Sequence, residues 1–184
     1  TRRSSDLNVA GGQLALMLRL PIYLDSIGTI LIGAWMGPFY GMLPNMISGV
    51  LMGFTTDIYS LYFAPVGMIT GFMAGIAAKQ MHGLVFEKQV KKLQIIIGAL
   101  FITIPGTMVS SVINAVLFGG VTSSGSSILV QILSRTPLGL TGSIFAVQIF
   151  TDYLDRVISL ALVVMVLQML PFSMKTAFQK AERK

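Results

Sequence analysis

The sequence predicts an all-α integral membrane protein, a bundle of six transmembrane helices with short loops, and three observations predict it. First, 54% of the 184 residues are hydrophobic and only 11% are charged, whereas a soluble domain of this size needs far more charge to cover its surface. Second, the charges gather in short clusters between long apolar stretches, as they do where chain leaves and re-enters lipid. Third, a span takes about 20 residues, so the length holds about six helices and leaves no room for a domain outside the bilayer. A single transmembrane domain over residues 1–184 is the expected organisation.

The spans follow in order. Residues 7–18 form the first apolar stretch, short for a span and carrying the Gly11-Gly12 pair. The second covers 22–36 and closes at Gly37-Pro38, the third 39–54 and the fourth 60–78. A polar, basic stretch over 79–92 separates these from a fifth span at 93–118, expected to be interrupted at Pro105-Gly106. A Gly/Ser loop over 119–127 follows. Residues 128–147 are apolar but carry Arg135, Pro137 and Gly139, and read as re-entrant or interfacial helix. The last span is 150–170, with a basic tail behind it. No internal repeat is visible.

Charge sets the orientation. With six spans, both termini and the 79–92 loop share one side. That side collects Arg2, Arg3, Lys79, Lys88, Lys91, Lys92, Lys175, Lys180, Arg183 and Lys184, ten of the 13 basic residues, and leaves only Arg19, Arg135 and Arg156 opposite. The positive-inside rule makes that side, and both termini, cytoplasmic. Five or seven spans would put the loop or the tail on the wrong side. The net charge of +6 is thus a matter of topology, and no nucleic-acid partner is expected. The chain starts without an apolar segment followed by a small-residue cleavage site, so no cleavable signal is expected either.

Several chemistries are not expected. There is no cysteine, hence neither a disulfide nor a thiolate metal site. The single histidine, His82, cannot build a His-rich metal centre and reads as a solvated loop residue. No H-E-x-x-H, G-x-S-x-G or G-x-x-x-x-G-K-[ST] occurs, so neither an enzyme, nor a cofactor, nor nucleotide hydrolysis by the chain itself is expected.

The polar residues point elsewhere. Asp25, Asp57, Asp152 and Asp155 fall at the expected outer ends of spans, among Arg19, Tyr23, Thr55, Thr56, Tyr59, Tyr62, Gln148, Tyr153 and Arg156, with Asn45 and Asn114 deeper. Taken singly, each reads as an interfacial residue, the tyrosines as an aromatic belt. Taken together, they favour an outward-open cavity, since ionisable groups at membrane depth are costly unless paired or facing water. Asp152, Asp155 and Arg156 share one helical face. The competing reading is a salt-bridge lattice that ties helix ends together. The candidate substrate-binding set is Arg19, Tyr23, Asp25, Asp57, Tyr59, Gln148, Asp152 and Arg156. Small residues also recur at helix-packing spacing: Gly11 and Ala15, Gly33 and Gly37, and the stripe Gly67, Gly71 and Gly75. Such positions let helix backbones approach closely, most simply inside the bundle. The twelve methionines read as adaptable packing.

A family resemblance runs through these residues. The stretch Leu20-Pro21-Ile22-Tyr23-Leu24-Asp25-Ser26-Ile27-Gly28-Thr29, then Gly37-Pro38-Phe39-Tyr40-Gly41 and the glycine-rich fourth span, resembles the substrate-binding S components of energy-coupling factor (ECF) vitamin transporters. Phe150-Thr151-Asp152-Tyr153-Leu154-Asp155-Arg156 is similar to the Pro-x-Asp-x-x-Lys-type opening of the last span in that group. Size, six spans, cytoplasmic termini and a basic tail agree across the chain. The resemblance implies a subunit in a prokaryotic plasma membrane that captures a vitamin or vitamin-like small molecule from outside. It would dock on a membrane scaffold subunit carrying two cytoplasmic ATPase subunits and topple to release its cargo. The family's first helix contacts the scaffold through an Ala-x-x-x-Ala pattern, and the nearest match here is Gly11 with Ala15. The Leu-Asp-Ser-Ile-Gly-Thr block looks closest to S components for cobalamin or for pyrimidine- and pyridoxine-like compounds. The lean is to cobalamin, with pyridoxine or hydroxymethylpyrimidine and pantothenate open. The alternative class is a self-sufficient secondary carrier or channel, which calls for an ionisable residue near mid-membrane. A purely structural or sensory membrane subunit is the third.

Overall fold

The computed structural model describes residues 2–20, 23–80 and 92–169. His82, Lys88, Lys91, the four basic residues of the tail, and Pro21 with Ile22 lie outside them. The described residues are all-helical: α1 (Arg2–Met17), α2 (Ile27–Met36), α3 (Pro38–Thr55), α4 (Ile58–Gln80), α5 (Lys92–Ile113) running into a π-helical turn (Asn114–Phe118), α6 (Ser126–Leu133) and α7 (Gly139–Met169). Two stretches, Ile58–Lys79 and Leu93–Phe118, are long and apolar enough to cross a membrane.

Seven α-helices therefore stand where six spans were expected, and two differences have plain causes. The fifth helix does not break at Pro105; it runs through it. A proline inside a helix forfeits one backbone hydrogen bond, and α3 and α4 likewise continue through Pro44 and Pro65. The last helix begins at Gly139 rather than near residue 150. Pro137 falls in the turn after α6, Gly139 takes the positive φ of 65° that a new start there requires, and nothing between Leu140 and Phe150 stops a helix. The segment expected to be broken is thus the eight-residue α6, a turn, and the first three turns of a 31-residue α7.

α4 is the hub, packing on α2, α3 and α5; α7 packs on α5, α6 and α2; α1 lies across α2 and α3. The hub depends on glycine. A Cβ on Gly71 of α4 would run into the Gly41 carbonyl of α3, and one on Gly33 of α2 would stand 2.6 Å from the Gly71 carbonyl. Three helices thus converge backbone to backbone, the close approach that small residues permit. The α4 stripe faces inward along its length: Gly67 meets the Asn45 side chain and Gly75 meets Pro38.

α1 is attached by polar contacts. Asn8 donates to the Thr29 hydroxyl at 2.6 Å, and its side-chain oxygen accepts the Gly28 N–H at 2.8 Å. That N–H belongs to the first turn of α2, where no intrahelical acceptor exists, so a residue of α1 does the work of an N-cap. Gly11 and Ala15, expected to face a scaffold partner, are turned inward instead. Ala15 is buried, and a Cβ on Gly11 would meet the Leu24 carbonyl. The buried stripe of α1 is Ser4, Ser5, Asn8, Gly12 and Ala15, which leaves Leu7, Leu14 and Met17 exposed.

The interior divides in two. One end is apolar, with Ile30, Ala74, Ala77, Ile102, Val163 and Leu167 in one cluster. Toward the other end α7 buries Gln148, Thr151, Asp152, Asp155, Arg156 and Ser159, a polar run between a second apolar cluster of Val130, Ile144 and Val147 and the stripe Val163, Val164 and Leu167.

Glycine packing gives a direct test. Gly71→Ala should lower stability by about 1–3 kcal/mol, the usual cost of overpacking. Gly106→Ala, whose Cβ would find only ordinary contact at 3.4 Å, should melt within a few degrees of the parent. Thermal unfolding of the purified variants in detergent decides, and equal melting temperatures would contradict the three-helix convergence.

Candidate functional site

The connection between α1 and α2 builds the site. It contains two non-glycine residues with positive φ, Arg19 at 48° and Leu24 at 52°, a conformation that side chains adopt only when surroundings hold them there. The hold comes from α7. The Leu24 N–H donates to Asp155 Oδ1 at 2.8 Å, and the Ser26 hydroxyl donates to Asp155 Oδ2 at 3.1 Å. Arg156 pairs with Asp155, donates to the Ser26 hydroxyl, and reaches Thr70 Oγ1 of α4 at 3.3 Å. Asp155 and Arg156 are 2% and 7% exposed, so the pair is desolvated and held by hydroxyls on two other elements. Among the described residues it is the one ion pair.

Beside this junction lies a cleft. Tyr23, Asp25, Asp57, Tyr59, Gln148, Asp152 and Arg156 all line it; these come from two connections and two helices and were each singled out from sequence. Arg19 does not line it. Its side chain is exposed, while its carbonyl lies where a Cβ on Gly125 would fall, so the residue helps seat the 119–125 loop against the α1–α2 connection. Asp155 lies behind the wall, engaged with Arg156 and Ser26.

The remaining wall comes from α3, α4 and α5, with Asn45, Ser48, Gly49, Met52, Ser60, Phe63, Val66, Gly67 and Ser110. Most were not singled out, because serine, glycine and methionine in an apolar run read as packing. Asn45 was noted for its depth; its amide donates to the Asp25 carbonyl at 3.5 Å. Ser110 could have been found from the polar repeat Thr103, Thr107, Ser110, Ser111 and Asn114, all buried on one face of α5.

Each carboxylate on the cleft is held by hydroxyl groups. Thr107 and Ser110 donate to Asp152 Oδ2 at 2.8 and 3.2 Å. The Ser26 hydroxyl stands 3.1 Å from Asp25 Oδ1 as well as from Asp155 Oδ2, so its one proton is shared between the two acids. Ser60 donates to Asp57 Oδ2 at 2.9 Å, and Asp57 directly precedes α4, in the position of a helix N-cap. Gln148 differs: it is buried, and its Oε1 has no hydrogen-bond partner. Buried polar atoms are nearly always paired, so this one is an acceptor in want of a donor. Tyr59 and Phe63 bring rings to the cleft, and Phe118 of the π-helical turn packs against both, edge-on to Tyr59 with centroids 4.8 Å apart and tilted over Phe63 at 5.9 Å.

The acids on α7 are not at a helix end. Because α7 starts at Gly139, eleven residues before the start expected for the last span, Asp152, Asp155 and Arg156 lie near its middle. No protein-family model, curated protein or solved structure matches this chain.

Breaking the desolvated pair tests the junction. Arg156→Met leaves Asp155 buried without its cation and should cost about 3–5 kcal/mol. Asp155→Asn combined with Arg156→Met should cost less than the sum of the two single changes, because the second removes a charge already orphaned. Unfolding of the four proteins in detergent completes the cycle; strict additivity would show that the two side chains are not coupled.

Proposed function

We propose that this chain is a membrane-embedded capture subunit for a vitamin-type small molecule, working as the S component of an ECF-type importer. The observation that carries the proposal is the convergence of seven polar and charged residues, dispersed from position 23 to position 156, on one cleft in a chain that is otherwise largely apolar. Sites for small molecules are concave, mostly apolar and furnished with a few convergent polar groups, and this cleft fits that description. In this reading the six spans are α1 to α5 and α7, and α6, the shortest of the described α-helices at eight residues, lies at the outer face beside the cleft. Both termini are cytoplasmic. The cleft opens outward, and transport energy comes from two ATPase subunits bound to a scaffold partner.

Within this reading the candidate vitamins are cobalamin, a pyridoxine- or hydroxymethylpyrimidine-like compound and pantothenate. The inward-facing Gly11 and Ala15 support a docking surface made by other residues than these two.

One observation favours a second reading. The mid-helix position of Asp152, Asp155 and Arg156 is where a self-sufficient secondary carrier keeps its ion-coupling residues. Reconstitution separates the two. An S component in vesicles by itself should bind ligand without ATPase activity and without concentrative uptake, and should gain uptake when scaffold and ATPases are added. Ion-driven uptake by the chain alone would replace the first reading with the second.

Two further outcomes are expected. Cysteines at Lys79 and Val121, both exposed and placed in a chain that has none of its own, should label from opposite sides of a sealed membrane; labelling from one side would remove the six-span topology. Asp152→Ala should weaken ligand binding about tenfold or more, since a hydrogen bond to a charged group is worth about 1.5–3 kcal/mol. Calorimetry on folded protein checks this.

A further inference from the structure

We infer that the ligand of this cleft is an organic cation carrying N–H donors, a small aromatic or heteroaromatic molecule with a protonated amine or a cationic ring. The inference rests on the capture reading above and deepens it from a vitamin-type molecule to a charge class.

The charge count of the wall carries the argument. Asp25, Asp57 and Asp152 line the cleft, and Arg156 is the one cation on it. Arg156 is not free to serve a ligand, because it is paired with Asp155 and bonded to Ser26 and Thr70. The lining therefore offers three carboxyl groups whose side-chain hydrogen-bond donors are neutral hydroxyls, and the one cation near Asp25 and Asp152, Arg156, is already paired with Asp155. An anion entering this space would face three acids with only an engaged guanidinium to meet it. A cation supplies what the wall lacks, since buried carboxylates are costly without a countercharge.

A second observation is independent of the acids. Gln148, 6% exposed and on the same cleft, has its Oε1 unpartnered. An orphaned acceptor asks for a donor, which an ammonium or an aromatic amine provides and a carboxylate or phosphate does not. The rings of Tyr59 and Phe63 agree, since an aromatic face attracts a cation within about 6 Å. A metal ion fits less well, because no group of three or more His, Cys, Asp or Glu among the described residues gathers as metal ligands.

The test is a charge series on the purified full chain in detergent, read by calorimetry. Thiamine and pyridoxamine serve as cations, pyridoxine and nicotinamide as neutral compounds, pyridoxate and pantothenate as anions. Binding should be confined to the cations or favour one of them at least tenfold over its neutral counterpart. Asp152→Asn should reduce that affinity about tenfold. Gln148→Leu, which removes the acceptor without touching an acid, should reduce it at least threefold, so the question stays open to test if the first variant misfolds. A neutral or anionic compound binding more tightly than both cations would overturn the charge inference and leave the capture reading standing. Silence from all six would overturn both. Cation binding unchanged in both variants would overturn the assignment to this cleft.

Discussion

The structure turns on a desolvated ion pair between neighbours in sequence, Asp155 and Arg156. Adjacent residues on a helix point in different directions, and a pair between them would ordinarily be a minor surface feature. Here both are buried, and neither oxygen of Asp155 is given to Arg156 alone. One accepts the Leu24 N–H, the other the Ser26 hydroxyl, and the guanidinium reaches across to Thr70. A non-helical connection, with Leu24 in a left-handed conformation, is thereby fastened to α7 and α4 at one point. That fastening sets where Tyr23 and Asp25 stand, and hence one wall of the cleft. Removing the cation would leave a carboxylate in a low-dielectric interior and free the connection from two helices together.

The polar end of the bundle is built mostly from serine and threonine. Ser26, Thr70, Thr103, Thr107, Ser110 and Ser111 are all buried, and several bond back to the preceding helical turn, as Thr103 does to Ala99 and Thr70 to Val66. Such residues satisfy themselves locally and can be stored inside an apolar helix at little cost. They are then at hand as donors to carboxylates, as Thr107 and Ser110 are to Asp152. Neutral donors hold an acid in place without cancelling its charge, and the cleft keeps an excess of acids over free cations for that reason.

Much of this arrangement was legible in the sequence, and the gaps have physical causes. Acids are conspicuous in an apolar chain, so Asp25, Asp57 and Asp152 were found at once, and Tyr23, Tyr59, Gln148 and Arg156 with them. Arg19 was grouped by its charge, but only its backbone takes part, and side-chain type carries no signal for that. The start of α7 was misplaced because Pro137 and Gly139 were read as damage within one segment, when they are the stop of one helix and the start of the next. The inward turn of α1 was hidden because its buried face is Ser4, Ser5, Asn8 and Gly12, and periodicity arguments look for apolar stripes. The glycine convergence was half visible. The α4 stripe announced close packing, yet nothing in the sequence shows that its partners are Gly33 and Gly41.

The two ends of the bundle divide its labour along α7. Below Ser159 the buried stripe of α7 becomes Val163, Val164 and Leu167, packed with Ile30, Ala74, Ala77 and Ile102. In this half the buried cluster is wholly apolar. Above it, the same helix carries charges that position the α1–α2 connection. α4 shows the same change of character in the same order along the chain, from Tyr59, Ser60 and Phe63 on the cleft to Ala74 and Ala77 in the apolar cluster. Both helices are therefore anchored at one end by close packing, which is stiff, and shaped at the other by hydrogen bonds around open volume. The α1–α2 connection and the 119–125 loop touch there, with Gly125 N–H donating to the Leu20 carbonyl at 3.3 Å. Beneath them the glycine-lined hub and the apolar cluster keep the helices in register.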